Sequence, residues 1–368
     1  MKILRYFLLP FSLIYGIIVF TRNYLYDIGK LKSSKFSIPI IGLGNLTTGG
    51  TGKTPHVEFL IKLLQNEFKI ATLSRGYGRK SKGYILAEAP SDTHLIGDEP
   101  MQYLTKFRNI MVCVSEDRTE AIGHLLTREN PPQVILMDDA FQHRKVIPGL
   151  NILLIEYDSV FAIDYLLPAG NLREPKSSIK RADIIIITKS PTILVSIERK
   201  RILENFSEDD KQNIFFSYLK YGEFNKIFGK NNSMQMGAGY YTEKRFTILL
   251  VTGIANPSGI IEYLRRLTDK LEMLIFPDHH EFNTKDINKI QQTFDNIANP
   301  SKIIVTTEKD AMRLRNPDID SSIQKLPFFF LPIEVQIHQD EENFNQLMKD
   351  FVRKNQPINR IHTRKNNL

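Results

Sequence analysis

The sequence has a single cysteine, Cys113, and no low-complexity tract in its 368 residues. One cysteine cannot form an internal disulfide or a cysteine-based metal site, so the sequence favours a reducing compartment. No RNA- or DNA-binding signature accompanies the formal net charge of +8. We therefore expect an anionic ligand or a membrane surface and no nucleic-acid partner. The hydrophobic content of 42% is that of an ordinary globular protein, long enough here for two domains.

The N-terminus carries an uncharged stretch, Tyr6 to Phe20, that is too short to span a membrane. It has fifteen residues, whereas a spanning helix requires about 20. No small-x-small cleavage site follows, which argues against a secretory signal peptide. We expect a membrane-associated, interfacial helix within residues 1–30, with a buried core helix as the alternative. Lys30, Lys32 and Lys35 suit anionic headgroups.

A glycine-rich loop follows an apolar run, Phe36–Ile41, that predicts a buried strand, and a helix is predicted from about Pro55. In such a loop, backbone N–H groups wrap a triphosphate, Lys53 reaches the β- and γ-phosphates and Thr54 holds Mg²⁺. A loop of this kind must face the cytoplasm, where the nucleotide is. An ordinary strand-to-helix turn is the alternative. The predicted ATP-binding residues are Thr47 (where the strict motif has glycine), Thr48, Gly49, Gly50, Thr51, Gly52, Lys53 and Thr54.

Apolar strands alternate with helical stretches along the chain, which predicts an α/β fold: a P-loop NTPase-like parallel sheet with helices on both faces, and a second, smaller α/β domain. Ligands of such sheets bind beyond the carboxyl ends of the strands. The expected segments are a hydrophobic membrane-associated segment (1–30), a P-loop core (31–215), a linker (216–245), a smaller C-terminal domain (246–352) and a basic tail (353–368).

Two acids, Asp138 and Asp139, follow the predicted strand Val134–Met137. A nucleotide-binding loop requires a carboxylate near the metal, usually at the tip of a neighbouring strand. Both acids are therefore candidates to hold Mg²⁺. The alternative is that a strand-end acid caps the next turn.

Three further motifs carry acids or histidines. Asp98 and Glu99 lie between glycine and proline in a rigid turn that could hold a general base, although the same pattern is typical of a helix N-terminus. His279 and His280 follow a predicted strand and could orient a carboxylate across a cleft, or serve the structure alone. Residues 306–310 indicate a helix N-terminus.

Together and in this order, the motifs resemble the tetraacyldisaccharide 4'-kinase family of lipid A biosynthesis. The resemblance covers most of the chain, and the conjunction of motifs is highly specific. One departure is Ala140, where the family usually has glycine. The carriers are the hydrophobic N-terminus, residues 44–55, 73–79, 97–100, 138–143, 172–175, 278–279 and 307–310.

The resemblance implies transfer of the γ-phosphate of ATP, with Mg²⁺, to the 4'-hydroxyl of a tetraacylated glucosamine disaccharide 1-phosphate, giving lipid IVA. It also implies a location at the cytoplasmic face of the bacterial inner membrane. By the same resemblance Asp98 is the catalytic base and His279 its partner. The implied metal ligands are Thr54, Glu99, Asp138 and Asp139, and the implied phosphate- or substrate-binding residues are Arg75, Arg79, Arg118, His143 and Arg173.

Two other classes of P-loop protein compete with this interpretation. Membrane-positioning ATPases combine a similar loop with a membrane-binding segment, but they carry a lysine at the position of Thr48. GTP-binding switches and metallochaperones select guanine with an Asn-Lys-x-Asp strand end, whereas residues 188–191 lack the acid. ATP is therefore favoured over GTP.

Overall fold

The computed structural model of the protein describes residues 5, 7–88, 91–206, 214–228, 238–315 and 323–357. Part of the predicted linker, residues 229–237, and the predicted basic tail beyond residue 357 lie outside the described residues. The described chain forms a nine-stranded and a five-stranded sheet. The predicted α/β class, with a large mainly parallel sheet and a smaller second one, is confirmed.

The strands alternate with helices over most of the chain. The strands are β1 (Ile40–Asn45), β2 (Ile70–Ser74), β3 (Ile85–Leu86), β4 (Met111–Val114), β5 (Val134–Met137), β6 (Leu150–Glu156), β7 (Ile184–Thr188), β8 (Ile214–Tyr221), β9 (Asn225–Lys226), β10 (Thr247–Thr252), β11 (Leu271–Ile275), β12 (Lys302–Thr307), β13 (Phe328–Leu331) and β14 (Ile333–Ile337). The α-helices are α1 (Leu9–Asp27), α2 (Lys53–Leu64), α3 (Thr93–Ile96), α4 (Asp98–Lys106), α5 (Arg118–Leu126), α6 (Ser196–Leu203), α7 (Ala238–Glu243), α8 (Ser258–Leu267), α9 (Thr284–Asn296), α10 (Glu308–Leu314) and α11 (Glu341–Lys354).

The larger sheet has the order β14-β8-β7-β6-β1-β5-β2-β4-β3. Its seven inner strands, β8 to β4, run parallel, and only the two edge strands, β14 and β3, pair in the antiparallel sense. Parallel neighbours need a crossover connection, which puts helices over the sheet. The carboxyl ends of β1, β2, β4 and β5 consequently lie at one edge, where the phosphate loop and the acid pair emerge.

Helices cover both faces of the larger sheet. Successive strand residues point to opposite sides of the sheet, so both sets of side chains are buried. In β5, Val134 and Leu136 pack against the core on the side of α2 and α11, whereas Ile135 and Met137 pack on the side of α5. All four side chains are fully buried. This explains why the sequence of β5 is continuously apolar rather than alternating.

The smaller sheet has the order β11-β10-β12-β13-β9, parallel except for β9. Its two faces pack against α9 and α10 on one side and α7 and α8 on the other. The chain then returns to the larger sheet, where β14 pairs with β8 and α11 packs on the α2 face. The predicted domain boundaries remain predictions, although β8 (Ile214–Tyr221) extends across the predicted start of the linker at residue 216.

The strand predicted at Phe36–Ile41 begins at Ile40 and continues to Asn45. Pro39 has no N–H to donate to a neighbouring strand, and only its carbonyl pairs with the Ile135 N–H. Within the described part of the chain, no helix combines the length and the hydrophobicity needed to cross a membrane.

Gly44 is required where β1 approaches the turn after β5. A β-carbon at this position would lie 2.5 Å from the Cβ atom and 2.7 Å from the backbone nitrogen of Phe141. We expect Gly44→Ala to lower the free energy of unfolding by about 1 to 3 kcal/mol because the backbone must shift. Gly123→Ala in α5 is the control, since nothing lies within 4 Å of the added atom, and alanine should stabilise that helix by about 0.5 to 1 kcal/mol. Equal denaturation midpoints for the two variants would contradict the prediction.

Candidate active site

The phosphate loop, residues 46–52, is held open by backbone conformation and by neighbouring segments. Gly49 and Gly52 have φ of 117° and 88°, a region that favours glycine. The Thr188 hydroxyl donates to the carbonyl of Thr51 at 2.9 Å. His56 Nδ1 lies 2.7 Å from the Gly52 carbonyl oxygen, and its Nε2 lies 2.9 Å from the Ser217 hydroxyl. Strands β7 and β8 therefore set the shape of the loop.

Lys53 begins α2 and points to the end of β5. Its Nζ atom is 3.2 Å from Asn45 Oδ1 and 3.5 Å from Asp139 Oδ1. Asp139 adopts a positive φ of 49° and also accepts from Arg173 Nη1 at 2.7 Å. Burial opposes ionisation of Asp139, but the charges of Lys53 and Arg173 outweigh it and hold the pKa below its usual value. The carboxylate is thus a charge partner for the lysine of the loop.

Asp138 is more buried than its neighbour. Its Oδ2 accepts from the Tyr103 hydroxyl at 2.9 Å, and its Oδ1 accepts from the Asp139 N–H at 2.8 Å. Burial raises the pKa of Asp138 to about 6, despite the nearby charge of Lys53. A further cation next to Asp138 would lower this pKa and favour the ionised carboxylate.

The predicted phosphate-binding cations lie around this acid pair. Arg118 is 2% exposed, and its Nε and Nη2 atoms have no hydrogen-bond partner among the described residues. Burial lowers the pKa of Arg118 to about 10, and burial together with the Arg118 charge lowers the pKa of His143 to about 4. Arg75 contributes to the positive potential at both groups. Arg79 has an ion-pair partner, since its Nη2 atom is 2.6 Å from Glu116 and donates to the Gly83 carbonyl, and its Nε and Nη1 atoms have no hydrogen-bond partner among the described residues.

The second sheet supplies the groups that face Asp98 at the start of α4. His279 Nδ1 lies 3.3 Å from Asp98 Oδ2, and Arg313 Nη2 lies 2.7 Å from the same oxygen. Burial alone would raise the pKa of Asp98, but His279 and Arg313 outweigh it and lower the pKa to about 2. His279 has a φ of 58° and packs against Tyr77, with ring centroids 4.9 Å apart. The two predicted catalytic residues are therefore in contact across the two sheets.

Glu99, the residue after Asp98, is engaged by the second sheet as well. Lys309 Nζ donates to Glu99 Oε1 at 2.7 Å and lies 3.3 Å from His279 Nε2. His279 Nδ1 is also 3.2 Å from Arg313 Nη2, so this nitrogen can donate to Asp98 or accept from Arg313, but not both. The choice of tautomer depends on which of these bonds forms.

Comparison with known proteins gives a family. The model of the family described as tetraacyldisaccharide-1-P 4'-kinase matches residues 4–353 of the chain. The chain belongs to this family. A tetraacyldisaccharide 4'-kinase of Bacteroides fragilis is 46% identical over 352 residues, covering 95% of this chain and 93% of the relative. The corresponding protein of Flavobacterium johnsoniae is 43% identical, covering 96% of this chain and 99% of the relative.

A crystal structure of LpxK from Aquifex aeolicus in complex with ATP has a similar fold. Its TM-score is 0.71 at 30% sequence identity, with 95% of this chain and 99% of that chain covered. The tetraacyldisaccharide 4'-kinase family is thus matched in sequence and in fold over nearly the whole chain.

Tyr103, Lys309 and Arg313 also lie in the candidate site of this kinase-family protein, and the sequence did not predict them as site residues. Lys309 lies within residues 306–310, which indicate a helix N-terminus, and Thr307 does cap α10 in the structure. Arg313 carried one weak signal, since it follows Asp310 by three residues on the predicted helix. Tyr103 carried no signal, because a helical tyrosine is usually a core residue.

Glu174, next to Arg173, joins the site to helix α1. Its carboxylate is fully buried and lies 3.0 Å from Arg22 Nη2 and 3.1 Å from Asn23 Nδ2. It also forms a close ion pair with Arg181. The same loop also contacts α1 closer to the N-terminus of the helix, where the Ser12 hydroxyl donates to the Leu166 carbonyl at 2.9 Å. In this family member, α1 is therefore seated on the loop that carries Arg173.

Replacing Glu174 with alanine should loosen α1. The partly exposed guanidinium groups of Arg22 and Arg181 would lose their counter-ion, at a cost of about 1 to 3 kcal/mol because solvent screens them in part. We expect faster amide hydrogen exchange over residues 9–27, measured by mass spectrometry. The control is Glu198→Ala, because Glu198 is exposed and makes one long contact with Tyr157, at 3.3 Å. Unchanged exchange over residues 9–27 in Glu174→Ala would contradict the assigned anchoring role.

Proposed function

We propose that the protein transfers the γ-phosphate of ATP to the 4'-hydroxyl of a tetraacyldisaccharide 1-phosphate, the step of lipid A biosynthesis that forms lipid IVA. The observation that carries the proposal is that α4 connects two groups of residues: Asp98 at its start contacts His279, and Tyr103 within it donates to Asp138, next to the Asp139 carboxylate that pairs with Lys53. The relatives bear the name of this kinase. ATP, which is bound in the similar crystal structure, is the phosphate donor in this proposal.

In this proposal the loop residues Thr47 to Thr54 bind the phosphates of ATP. The amide groups at the start of α2 point to the nucleotide, and the helix dipole favours its negative charge. Lys53 already lies between Asn45 and Asp139, so an incoming phosphate would replace these contacts with a stronger one. Arg173 would then balance the charge of Asp139 alone.

The oxygen ligands near the loop fit Mg²⁺. A hydroxyl from Thr54 and carboxylates from Asp138, Asp139 and Glu99 are the hard donors that this ion prefers. No group of three or more His, Cys, Asp or Glu side chains in the described chain could hold a metal by itself. A nucleotide-bound Mg²⁺ requires fewer, since phosphates and water complete its shell. When bound, the ion neutralises charge on the β- and γ-phosphates.

Asp98 is the proposed catalytic base, with His279 as its partner. Phosphoryl transfer requires mainly positioning and charge stabilisation, with a carboxylate to accept the hydroxyl proton. The two side chains are 3.3 Å apart, and Asp98 is ionised at neutral pH because its pKa is about 2. His279 orients the carboxylate, and its own backbone is held by a bond from its N–H to the Gly253 carbonyl, at 3.1 Å.

The unpartnered nitrogens of Arg118 are the best-supported site for a phosphate of the lipid or of ATP. A buried guanidinium with free N–H groups gains strongly from a bidentate anion. Arg75 and Arg173 lie close enough to add to the same positive potential, whereas His143, with its pKa lowered to about 4, is neutral and could contribute a hydrogen bond. Arg79 is proposed as a weaker member, since it already pairs with Glu116.

The alternative, a membrane-positioning ATPase, is not favoured. Such proteins use a lysine before the two glycines, where this chain has Thr48, whose N–H donates to the Asn171 carbonyl at 2.7 Å. An ATPase that acts on water also has no need of a histidine–carboxylate contact between two sheets. The family assignment points the same way.

Loss of the loop lysine should abolish phosphoryl transfer. We expect Lys53→Ala to lower kcat by roughly 10²-fold or more. The variant lacks the ammonium group that would balance the negative charge of the β- and γ-phosphates as the transition state forms. The measurement is transfer of label from ATP to the lipid disaccharide in the presence of Mg²⁺. Lys62→Ala is the control on the same helix, since Lys62 is half exposed and pairs with Glu334. A folded Lys53→Ala protein with near-normal turnover would refute this ATP site.

We propose that α1 seats the site on the cytoplasmic face of the bacterial inner membrane. Val19 and Ser12 face the protein, whereas the apolar side chains on the outer side are between 53% and 73% exposed. Ile163, on the loop below α1, is 90% exposed. Such a surface is stable at the boundary of headgroups and acyl chains. The outer residues are Phe7, Phe11, Leu13, Ile14, Ile17, Ile18, Phe20 and Tyr24.

Polar substitutions on this face should weaken membrane association. A buried isoleucine contributes about 1.5 to 3 kcal/mol, so Ile14→Asn with Ile18→Asn should reduce vesicle binding by roughly tenfold or more. The apparent KM for the lipid should rise while the KM for ATP stays unchanged. The readout is sedimentation with vesicles that contain an anionic phospholipid, with Ile275→Asn as control because Ile275 is 55% exposed on the second sheet. Unchanged sedimentation would contradict the proposed face, and ATP-dependent cycling without labelled lipid would favour the positioning ATPase.

A further inference from the structure

Helix α10 of the smaller sheet meets helix α4 of the larger sheet through pairs of opposite charge. The side chains are largely buried, with 4% of Arg313 and 15% of Asp98 exposed. Charges in such a place are stable only with partners in good geometry. The pairs are Glu308–Lys106 at 2.8 Å, Lys309–Glu99 at 2.7 Å and Arg313–Asp98 at 2.7 Å.

Arg313 holds one oxygen of Asp98 with two nitrogens. Its Nε lies 2.8 Å and its Nη2 2.7 Å from Oδ2, and His279 Nδ1 approaches the same atom. In the described chain, every hydrogen bond to the Asp98 side chain ends on Oδ2. Oδ1 is left to accept a proton. Two nitrogens of one planar guanidinium fork hold Oδ2 at two points, which a single ammonium group cannot do.

Arg313 is itself fixed by its own sheet. Its Nη1 donates to the Gly253 carbonyl at 3.0 Å and to Asp310 Oδ1 at 2.9 Å. Asp310 is fully buried, and its Oδ2 accepts from the Thr252 hydroxyl, the Gly253 N–H and the Thr307 hydroxyl, at 2.8 to 3.1 Å. The guanidinium thus arrives at Asp98 with its position set by the ends of β10 and β12.

We propose that Arg313 is a positioning residue for phosphoryl transfer, which fixes the Asp98 carboxylate so that Oδ1 faces the acceptor hydroxyl. This rests on the proposed role of Asp98 as the base. In the step, the hydroxyl proton passes to Oδ1 as the hydroxyl oxygen bonds to the γ-phosphorus. The bond from that phosphorus to the β–γ bridging oxygen breaks, and ADP leaves. Arg313 lies on α10, which packs on the smaller sheet. The Asp98 carboxylate is therefore oriented in this way only when α10 is packed against α4.

The test is a double-mutant cycle on kcat with labelled ATP and the lipid disaccharide. Arg313→Met should lower kcat by roughly 10- to 100-fold and leave the KM for ATP unchanged, because the phosphate loop lies on other elements. Arg313→Lys should recover part of the loss, since it keeps the charge without the fork. In an Asp98→Asn background, Arg313→Met should change kcat by less than about threefold, because the two residues act as a unit.

Arg266→Met is the matched control. Arg266 is an exposed arginine on α8, which packs on the same sheet as α10, and among the described residues it pairs only with Glu262. Multiplicative losses in the double mutant would overturn the proposal by indicating a purely structural role. A normal kcat in folded Arg313→Met, with Asp98→Asn impaired, would overturn it and leave the proposed function standing. A normal kcat in Asp98→Asn would instead refute the base. If Arg313→Met does not fold, as judged by thermal unfolding, Arg313→Lys in both backgrounds gives the same comparison.

Discussion

The ionic contact between Asp98 and Arg313 is the interaction on which the rest of the candidate site depends. It joins α4, which packs on the larger sheet, to α10, which packs on the smaller sheet. A carboxylate or guanidinium this deeply buried costs several kcal/mol to desolvate without a partner, so each side chain requires the other. His279 and Glu99 take their positions from the same contact between the helices. The site therefore belongs to the two sheets jointly.

Local patterns in the sequence predicted much of the fold. Val134–Met137 is a strand with the predicted bounds, because a short apolar run between turns has one stable place in a parallel sheet. The predicted strand Phe36–Ile41 was wrong in its bounds, because Pro39 delays its start and Gly44 allows it to continue. The return of β14 to pair with β8 was not predictable, because it joins residues about a hundred positions apart in the chain.

The site was predictable to the extent that motifs carry it. The contact of Asp98 with His279 follows from the family resemblance and from the rule that ligands bind at the carboxyl ends of strands. The roles of the individual residues remain predictions. The spacing of Arg313 from Asp310 was too weak a signal to place it in the site, because a cation on a helix is usually solvated and the packing of α10 on α4 is what brings this one to Asp98. Tertiary contact, not local pattern, decides which charges become functional.

Glu174 gives the N-terminal helix a significance beyond attachment. Glu174 directly follows Arg173 in the chain. The Glu174 carboxylate binds Arg22 and Asn23 of α1, and Arg173 pairs with Asp139. Removing α1 to improve the solubility of the protein would therefore take away Arg22 and Asn23 and leave Arg181 as the remaining side-chain partner of this buried anion in the described chain. A soluble truncated enzyme would report catalysis by an altered centre, and its rate constants would not describe the full-length protein. Detergent or lipid is the better route to handling this chain, because it shields the apolar face without disturbing the residues beneath.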